Sequence, residues 1–525
     1  MIKRTDILNI LYNHQKIAVD LALSNNRAQF ILPTGTGKTF IQVANIGLDM
    51  IDYPDNDTYI IQVPRILLSY QIFEELFFFL RQFNLESDFL IVHSGTKIDD
   101  GDLLERLQDK QSLSVQSGNT SYGDMKWTEI PVTTSTDDIE KQFIDSKKRK
   151  RPLIIVQTYN SAHKTFNVLE NLGFRSRMIQ NDECQYLVSE EFNHLLNMDC
   201  DKMFSFTATA KNTERIGMNN TDLWGNVLQK MTPREAIESG LIVRPRMIYM
   251  GSKSPIEKDE VDRLMPLFIR QDFESLKEHS PNVNAKVLIC TRGTNDIHNF
   301  MNSYESIDLM NQGVNIFAIG SNPKVDNWYN GVKMNRNEWL RILQDTGKDE
   351  SAEMIVLHID ILSEGIDVPG FTGISFFSTK EKDKFIQCYG RSARLSKRDR
   401  DRLKTGEINT VDLSNWEKPY SYVILHEFNE TDKSQSEGLA MMVNNLREYG
   451  FDPSRDIIIK SQRGSGESEE LEILTLDDID KTKKRLVSKY ETWFKVEAEH
   501  QARLSANISD KTFTEMDHVM LSYFN

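Results

Sequence analysis

The sequence predicts an α/β protein with two tandem parallel-sheet domains and a small, mostly helical C-terminal region. Its 525 residues exceed one ordinary core and suffice for two or three domains. Short buried-type strands alternate with helical patterns, as in a parallel sheet covered on both faces. The alternation runs in two series and stops after Phe428, where the character of the chain changes.

The first series is AQFIL (28–32), YIIQV (59–63), FLIVH (89–93), LIIVQ (153–157), SRMIQ (176–180) and KMFSFT (202–207). LFFFL (76–80) is far too short for a membrane span and reads as a buried helix face. Residues 97–150 are polar and read as an insertion or long connection carrying a helix. MTPREAIESGLIVRPRM (231–247) reads as the joint, with a helix capped near Thr232, Pro233 in its first turn and Gly240 as its stop. The second series is KVLIC (286–290), VNIFAIG (314–320), MIVLHI (354–359), GISFFS (373–378) and YVILHEF (422–428). Domains are therefore expected at 1–242, 243–430 and 431–525, with a flexible linker near 461–470 (SQRGSGESEE). In the tail, Leu439, Val443 and Leu446 share a helical face ending at Gly450. Leu486, Tyr490, Trp493 and Glu497 fall at helical spacing, a stripe read as core.

Hydrophobic residues make up 39% and charged residues 27%, the proportions of a globular protein. No apolar run reaches the roughly 18 residues of a membrane span, and the N-terminus lacks a signal-peptide pattern. No membrane partner and a cytoplasmic location are expected. A net charge of −15 excludes a protein coated with phosphate-binding charge, though not one local basic channel. The run KKRKR (147–151) leaves two readings open, a nucleic-acid or localisation patch and a solvated loop before a strand. Cys184, Cys200, Cys290 and Cys388 show no metal-ligand spacing and read as small core residues or bystanders.

The stretch FILPTGTGKTF (30–40) lies between a strand and a helix. In it Thr34, Gly35, Thr36, Gly37, Lys38 and Thr39 have the makings of a phosphate-binding loop. Glycines let backbone N–H groups approach phosphate oxygens, and the following helix N-terminus favours negative charge. Lys38 would reach the β- and γ-phosphates and the Thr39 hydroxyl would hold Mg²⁺. Leu32 occupies the first glycine position of the usual pattern. In SRMIQNDECQ, Asp182 and Glu183 are adjacent carboxylates at a strand tip, suited to hold Mg²⁺ and to deprotonate an attacking water. In QCYGRSAR (387–394), Gln387, Arg391 and Arg394 fall on one helical face at i, i+4 and i+7, beside Gly390.

In this order the strings resemble the superfamily-two DExH-type helicases and translocases, over roughly residues 8–430. LYNHQ resembles the adenine-reading Q motif, with Gln15 as reader. LPTGTGKT resembles motif I, QVPRILLSYQ motif Ia, VQTYNSA the motif Ib region and NDECQ motif II. FTATA (206–210) resembles motif III, VLICTRG (287–293) motif IV, LSEGIDVPG (362–370) motif V, with Gly365 and Asp367, and QCYGRSAR motif VI. TYNSA, the acidic motif and the 219–245 stretch are similar to type I and type III restriction-enzyme motor subunits and phage UvsW-like recombination helicases.

The resemblance implies two RecA-like domains, ATP and Mg²⁺ as cofactors, and a nucleic-acid track with DNA favoured over RNA. It implies catalytic roles for Glu183, Gln387, Arg391 and Arg394, and ATP binding by Gln15, the 34–39 loop, Gly365 and Asp367. Thr39 and Asp182 would hold the metal. Arg65, Thr158, Thr291 and Arg292 are candidate nucleic-acid contacts, and Gln185, Thr207 and Thr209 candidate coupling residues. Gln185 replaces the usual histidine and is expected against motif VI, near Gln387. The leading reading is an ATP-dependent DNA helicase or translocase. A DExH-type RNA helicase, a motor subunit of a restriction or defence complex, and a nucleic-acid clamp with slow ATP turnover stay open.

Overall fold

The computed structural model describes residues 3–54, 57–93, 132–213, 215–252, 255–320, 325, 327–359, 368–428, 433–462 and 475–505. These form two units that divide between Thr232 and Pro233.

The first unit is built on strands β1 (Arg27–Ile31), β2 (Thr58–Val63), β3 (Asp88–Val92), β4 (Val132–Thr133), β5 (Leu153–Thr158), β6 (Ser176–Asp182), β7 (Cys200–Thr207) and β8 (Asn226–Lys230). They pair in the order β4-β3-β5-β2-β6-β7-β1-β8, every pairing parallel. Alternate residues of one strand enter two cores. Tyr59, Ile61 and Val63 pack on one face of β2 and Ile60 on the other. That two-sided burial is why these strands read as continuous apolar runs. The helix Ile66–Gln82 buries Leu76, Phe77, Phe79 and Leu80 of the LFFFL stretch.

Register sets the working edge of this sheet. Ile31 lies opposite Thr207, and Asp182 opposite Phe206. The C-terminal ends of β1, β6 and β7 are thus level, and all three strands deliver their following residues to one edge.

The basic run closes a helix and is not a loop over most of its length. Lys147, Lys148 and Arg149 form the last turn of the helix Thr136–Arg149, and Lys150, in the left-handed conformation, caps it. Cations suit that end of a helix. Arg149 pairs with Asp88 at 2.9 Å and Arg151 with Glu86 at 2.9 Å, while Lys147 lies over the Phe143 and Phe174 rings.

The second unit has β9 (Arg244–Gly251), β10 (Lys286–Cys290), β11 (Asn315–Ile319), β12 (Trp328–Tyr329), β13 (Val332–Lys333), β14 (Met354–His358), β15 (Gly373–Phe376), β16 (Tyr420–Glu427) and β17 (Ile457–Ser461). Their order is β13-β12-β11-β14-β10-β15-β16-β9-β17. Pairing is parallel from β11 to β17, and β12 and β13 form an antiparallel edge. Four strands, β9, β12, β13 and β17, depart from the sequence reading. β9 occupies the end of the expected joint. Its Pro245 pairs with Ser421 near the strand start, where a missing N–H is tolerated, and the Arg246 guanidinium stacks over Tyr420 at 3.9 Å. β17 adds an edge strand just before the expected linker.

The C-terminal helices belong to this unit. Leu439, Val443 and Leu446 are buried on the helix Lys433–Arg447, and Gly450 takes φ 75° beyond it. On the helix Leu476–Ser505, Leu486 and Tyr490 are buried, as the core reading of the stripe requires; the side chains of Trp493 and Glu497 lie outside the described residues. The same helix covers Glu427 of β16, a fully buried carboxylate. Arg485 donates to it at 3.0 Å and Lys489 at 3.1 Å, and the Tyr249 hydroxyl also donates to it. These partners hold its pKa below the usual range against the opposing effect of burial.

Leu486→Ala should destabilise the second unit by about 3 kcal/mol through the cavity it opens. Denaturant unfolding of the full chain checks this; an unchanged midpoint would mean that the helix is not part of this core.

Candidate functional site

The loop after β1 has a conformation that only glycine suits at two positions. Gly35 and Gly37 take φ 90° and 83°, values that side-chain-bearing residues rarely adopt. A Cβ at Gly37 would sit 2.5 Å from the Gln15 amide nitrogen. The loop thus needs glycine there for two reasons, backbone conformation and the close approach of a neighbouring helix. From that helix, Asn13–Leu23, the Gln15 amide faces the Thr36 and Gly37 carbonyls at 3.4 Å, and its oxygen accepts from the Tyr12 N–H at 2.9 Å. His14 joins it, with Nε2 2.8 Å from the Thr36 carbonyl, and burial lowers its pKa. The Q-like string therefore braces the loop from behind.

Lys38 opens the helix Lys38–Asp52 and is buried. Its ammonium donates to the Leu32 carbonyl at 3.2 Å. Leu32, the departure from the usual pattern, contributes its backbone here, and its side chain belongs to the core. The Leu32 N–H in turn donates to the Thr207 carbonyl at 2.9 Å. Thr34 and Thr36 belong to the turn, and Thr39 to the first turn of the helix. The Thr36 hydroxyl donates to the Pro33 carbonyl at 2.8 Å, and Thr39 is partly exposed.

Asp182 ends β6. Its carboxylate accepts from the Gln42 amide at 2.7 Å, and its carbonyl accepts from the Tyr159 hydroxyl at 2.6 Å. Burial and the adjacent Glu183 charge push its pKa up to about 7, against the pull of Lys38. Glu183 takes φ 49°, ψ 50°, a left-handed conformation that costs a non-glycine residue about 1–3 kcal/mol. That turn breaks the strand after Asp182 and starts the short helix Cys184–Leu187.

Gln185 spends both ends of its amide inside this unit. It donates to the Glu183 carboxylate at 3.0 Å and accepts from the Thr207 hydroxyl at 2.5 Å. The Thr207 oxygen also accepts from the Thr209 N–H at 3.0 Å. The three candidate coupling residues thus form one chain running from the acidic pair to the end of β7.

Two expected track contacts also lie in this unit. Arg65 is an exposed N-cap before the helix Ile66–Gln82, whereas Thr158 is buried at the end of β5.

In the second unit, Thr291 is buried at the end of β10, its hydroxyl donating to the His358 carbonyl at 3.2 Å. Arg292 is clasped by Asp296 and Asp262, each at 2.6 Å. The motif VI helix Lys382–Ser392 carries Gln387, partly buried, and Arg391, buried. Arg394 does not continue their helical face. The helix stops at Ser392, and Arg394 is extended, bridged to Ile242. Lys418 explains the stop. Its buried ammonium donates to the carbonyls of Phe371, Ser392 and Arg394 at 2.6–2.7 Å, drawing the chain out of the helix. Burial foremost, then the Arg394 charge, brings the Lys418 pKa down to about 7. Gly365 and Asp367 lie outside the described residues.

Cys184, Cys290 and Cys388 are buried, in keeping with the core reading of the cysteines, and two of them come together. Cys290 at the end of β10, His358 at the end of β14 and Cys388 on the motif VI helix bring their ligand atoms within 4.8 Å of one another, all buried. Spacing along the chain hid this, because three different elements supply the three groups.

Residues 9–212 match the family described as "Type III restriction enzyme, res subunit". The chain resembles superfamily-two motors in both sequence and fold. Among curated proteins, it is 24% identical over 274 residues to "Probable helicase A859L" of African swine fever virus (isolate Tick/South Africa/Pretoriuskop Pr4/1996), and 23% identical to the same protein of strain Badajoz 1971 Vero-adapted. Each match takes in 49% of this chain and 28% of the viral protein. Among solved structures, "ATP-dependent Type ISP restriction-modification enzyme LlaBIII bound to DNA" superposes with a TM-score of 0.60 at 19% identity, covering 95% of this chain and 34% of that one. A nuclease-deletion mutant of the Type ISP enzyme LlaGI, in complex with a DNA substrate mimic, gives 0.54 at 17% identity, covering 86% and 30%. The chain thus spans about a third or less of these relatives. Its fold is the tandem RecA-like fold, and no helix among the described residues is long and apolar enough to cross a membrane.

Sequence reasoning missed His14, Gln42, Tyr159 and Lys418. Gln42 had a visible signal, since it lies one helical turn after Lys38 and a polar residue there needs a buried partner. Tyr159→Phe should cost about 1–3 kcal/mol by leaving the Asp182 carbonyl without its donor. A urea midpoint equal to that of the parent chain would rule this contact out as a support of the site.

Proposed function

We propose that the chain is an ATP-hydrolysing motor that moves on, or remodels, DNA. The observation that carries the reading is the shared edge of the first sheet. The glycine loop with buried Lys38 and the Asp182–Glu183 pair lie there, and Gln185 ties the pair to Thr207. A bare loop of this kind binds phosphate; an acidic pair beside it adds metal-assisted hydrolysis.

In this reading Lys38 and the loop N–H groups hold the phosphates and Glu183 takes the proton of the attacking water. Gln387, Arg391 and Arg394 offset charge in the transition state, a role taken from their likeness to motif VI. Gln15 reads the base. Asp182 and the Thr39 hydroxyl are the proposed Mg²⁺ holders, and the ion when bound supplies positive charge to phosphate and carboxylate oxygens. The donor set fits. Burial and the Glu183 charge disfavour the Asp182 anion more than Gln42 and Lys38 support it, and a dication relieves that.

DNA is favoured over RNA because the two Type ISP relatives are described with DNA or a DNA mimic. The match of residues 9–212 to the res-subunit family favours a second, narrower reading, the motor part of a restriction or defence assembly. A cytoplasmic location goes with either reading.

ATPase rates with single-stranded, duplex and forked DNA and with RNA test the proposal. DNA should stimulate turnover and RNA should not. Stimulation by RNA alone would make the chain an RNA motor, and slow turnover unmoved by any nucleic acid would make it a switch-like clamp. Lys38→Ala should abolish hydrolysis and weaken nucleotide binding, as read by turnover and by nucleotide titration. A folded variant with near-normal turnover would remove the loop from the chemistry.

A further inference from the structure

The chain has four cysteines, and their surroundings differ in kind. Cys184 is buried in the first unit and burial pushes its thiol well above the usual range. Cys200, half-buried, is raised to about 11 for the same reason. Cys388 goes the other way. It is buried as deeply as Cys184, yet its hydrogen bond with Cys290, then His358 and the Arg391 charge, bring it well below the usual thiol range. Full burial makes Cys388 a poor nucleophile, and its contacts with a second thiol and an imidazole leave it the role of a metal ligand.

The geometry favours the ligand. His358 Nε2 lies 3.0 Å from Cys290 Sγ, and all ligand-atom pairs of Cys290, His358 and Cys388 fall within 4.8 Å. Tetrahedral zinc, with Zn–S of about 2.3 Å and Zn–N of about 2.1 Å, separates its ligand atoms by about 3.5–3.8 Å. The group needs to open by roughly half an ångström at its tightest pair to reach that spacing. Charge fits as well. Two thiolates and a neutral imidazole cancel a divalent ion, so the occupied site carries no net charge into a fully buried position. Soft sulfur with imidazole selects zinc over the hard cations that serve phosphate chemistry.

We propose that Cys290, His358 and Cys388 supply three of the four ligands of a tetrahedral zinc site inside the second unit, with a water molecule as the fourth. Binding releases thiol protons to solvent as two Zn–S bonds and one Zn–N bond form. The ion joins the ends of β10 and β14 to the helix Lys382–Ser392. Cys388 lies one helical turn before Arg391, so the metal fixes the stretch that presents that arginine. This site is separate from the Mg²⁺ site proposed for the first unit and does not depend on it.

The test uses the full chain, purified without chelator and without a histidine tag. Elemental analysis should find one zinc per chain. After zinc removal, titration with Co²⁺ should produce the near-ultraviolet thiolate-to-cobalt charge-transfer band and the intense visible bands of a tetrahedral site. Cys388→Ser should lose both the zinc and the charge-transfer band, while Cys200→Ser keeps them. Absence of zinc together with absence of a charge-transfer band in the wild-type apoprotein would overturn the proposal. A band that survives Cys388→Ser would overturn it too, as would a Cys290–Cys388 disulfide that withdraws two thiols from the free-thiol count of the purified chain. If Cys388→Ser does not fold, the wild-type stoichiometry and cobalt spectrum decide the matter alone.

Discussion

The first unit depends on a polar seam in a place where apolar packing is the rule. The helix Lys38–Asp52 lies against β6 with Gln42, Asn45 and Asp49 on one buried stripe. Gln42 donates to Asp182, Gln180 donates back to the Gln42 carbonyl at 2.8 Å, and Asn45 donates to Gln180 at 3.2 Å. One turn on, Asp49 takes Arg177 at 2.8 Å, Lys202 at 3.0 Å and the Tyr59 hydroxyl at 3.1 Å. Apolar contacts tolerate a slide of one helix along a sheet; matched donors and acceptors do not, because each mismatch strands a buried polar group. The seam therefore fixes where Lys38 stands relative to Asp182, which phosphate chemistry needs held to a fraction of an ångström.

The same seam explains what the sequence conceals. Gln180 and Asn181 make the strand before the acidic pair look too polar for a central strand. In the fold Gln180 answers the helix and Asn181 donates to Ser205 of β7 at 3.2 Å. The central strands and the glycine loop were legible because period, turn chemistry and spacing are local properties. β9 was not, since Arg244, Pro245 and Arg246 break the apolar pattern and their acceptance depends on Tyr420 and Ser421, far along the chain. The break in the motif VI helix was hidden for a similar reason. Nothing between Gln387 and Arg394 stops a helix; Lys418 does, from a neighbouring segment.

The C-terminal segment shows how composition misleads about domain membership. A Gly- and Ser-rich stretch at 461–470 reads as a boundary. Yet the helix beyond it supplies two of the donors that make burial of Glu427 tolerable. A carboxylate sealed in a sheet without such partners would be protonated or would unfold its surroundings. Linker composition describes the connection alone; whether the segment beyond it stands apart is decided by the contacts that segment makes.

Gln185 has a consequence that extends past its two hydrogen bonds. A histidine in that place changes charge near neutrality; a primary amide keeps its charge and its donor and acceptor ends at every pH a cell meets. Gln185 therefore adds no charge change of its own to the link from Glu183 to Thr207. Whatever pH dependence that link has enters at its acidic end, where Asp182 and Glu183 share one neighbourhood.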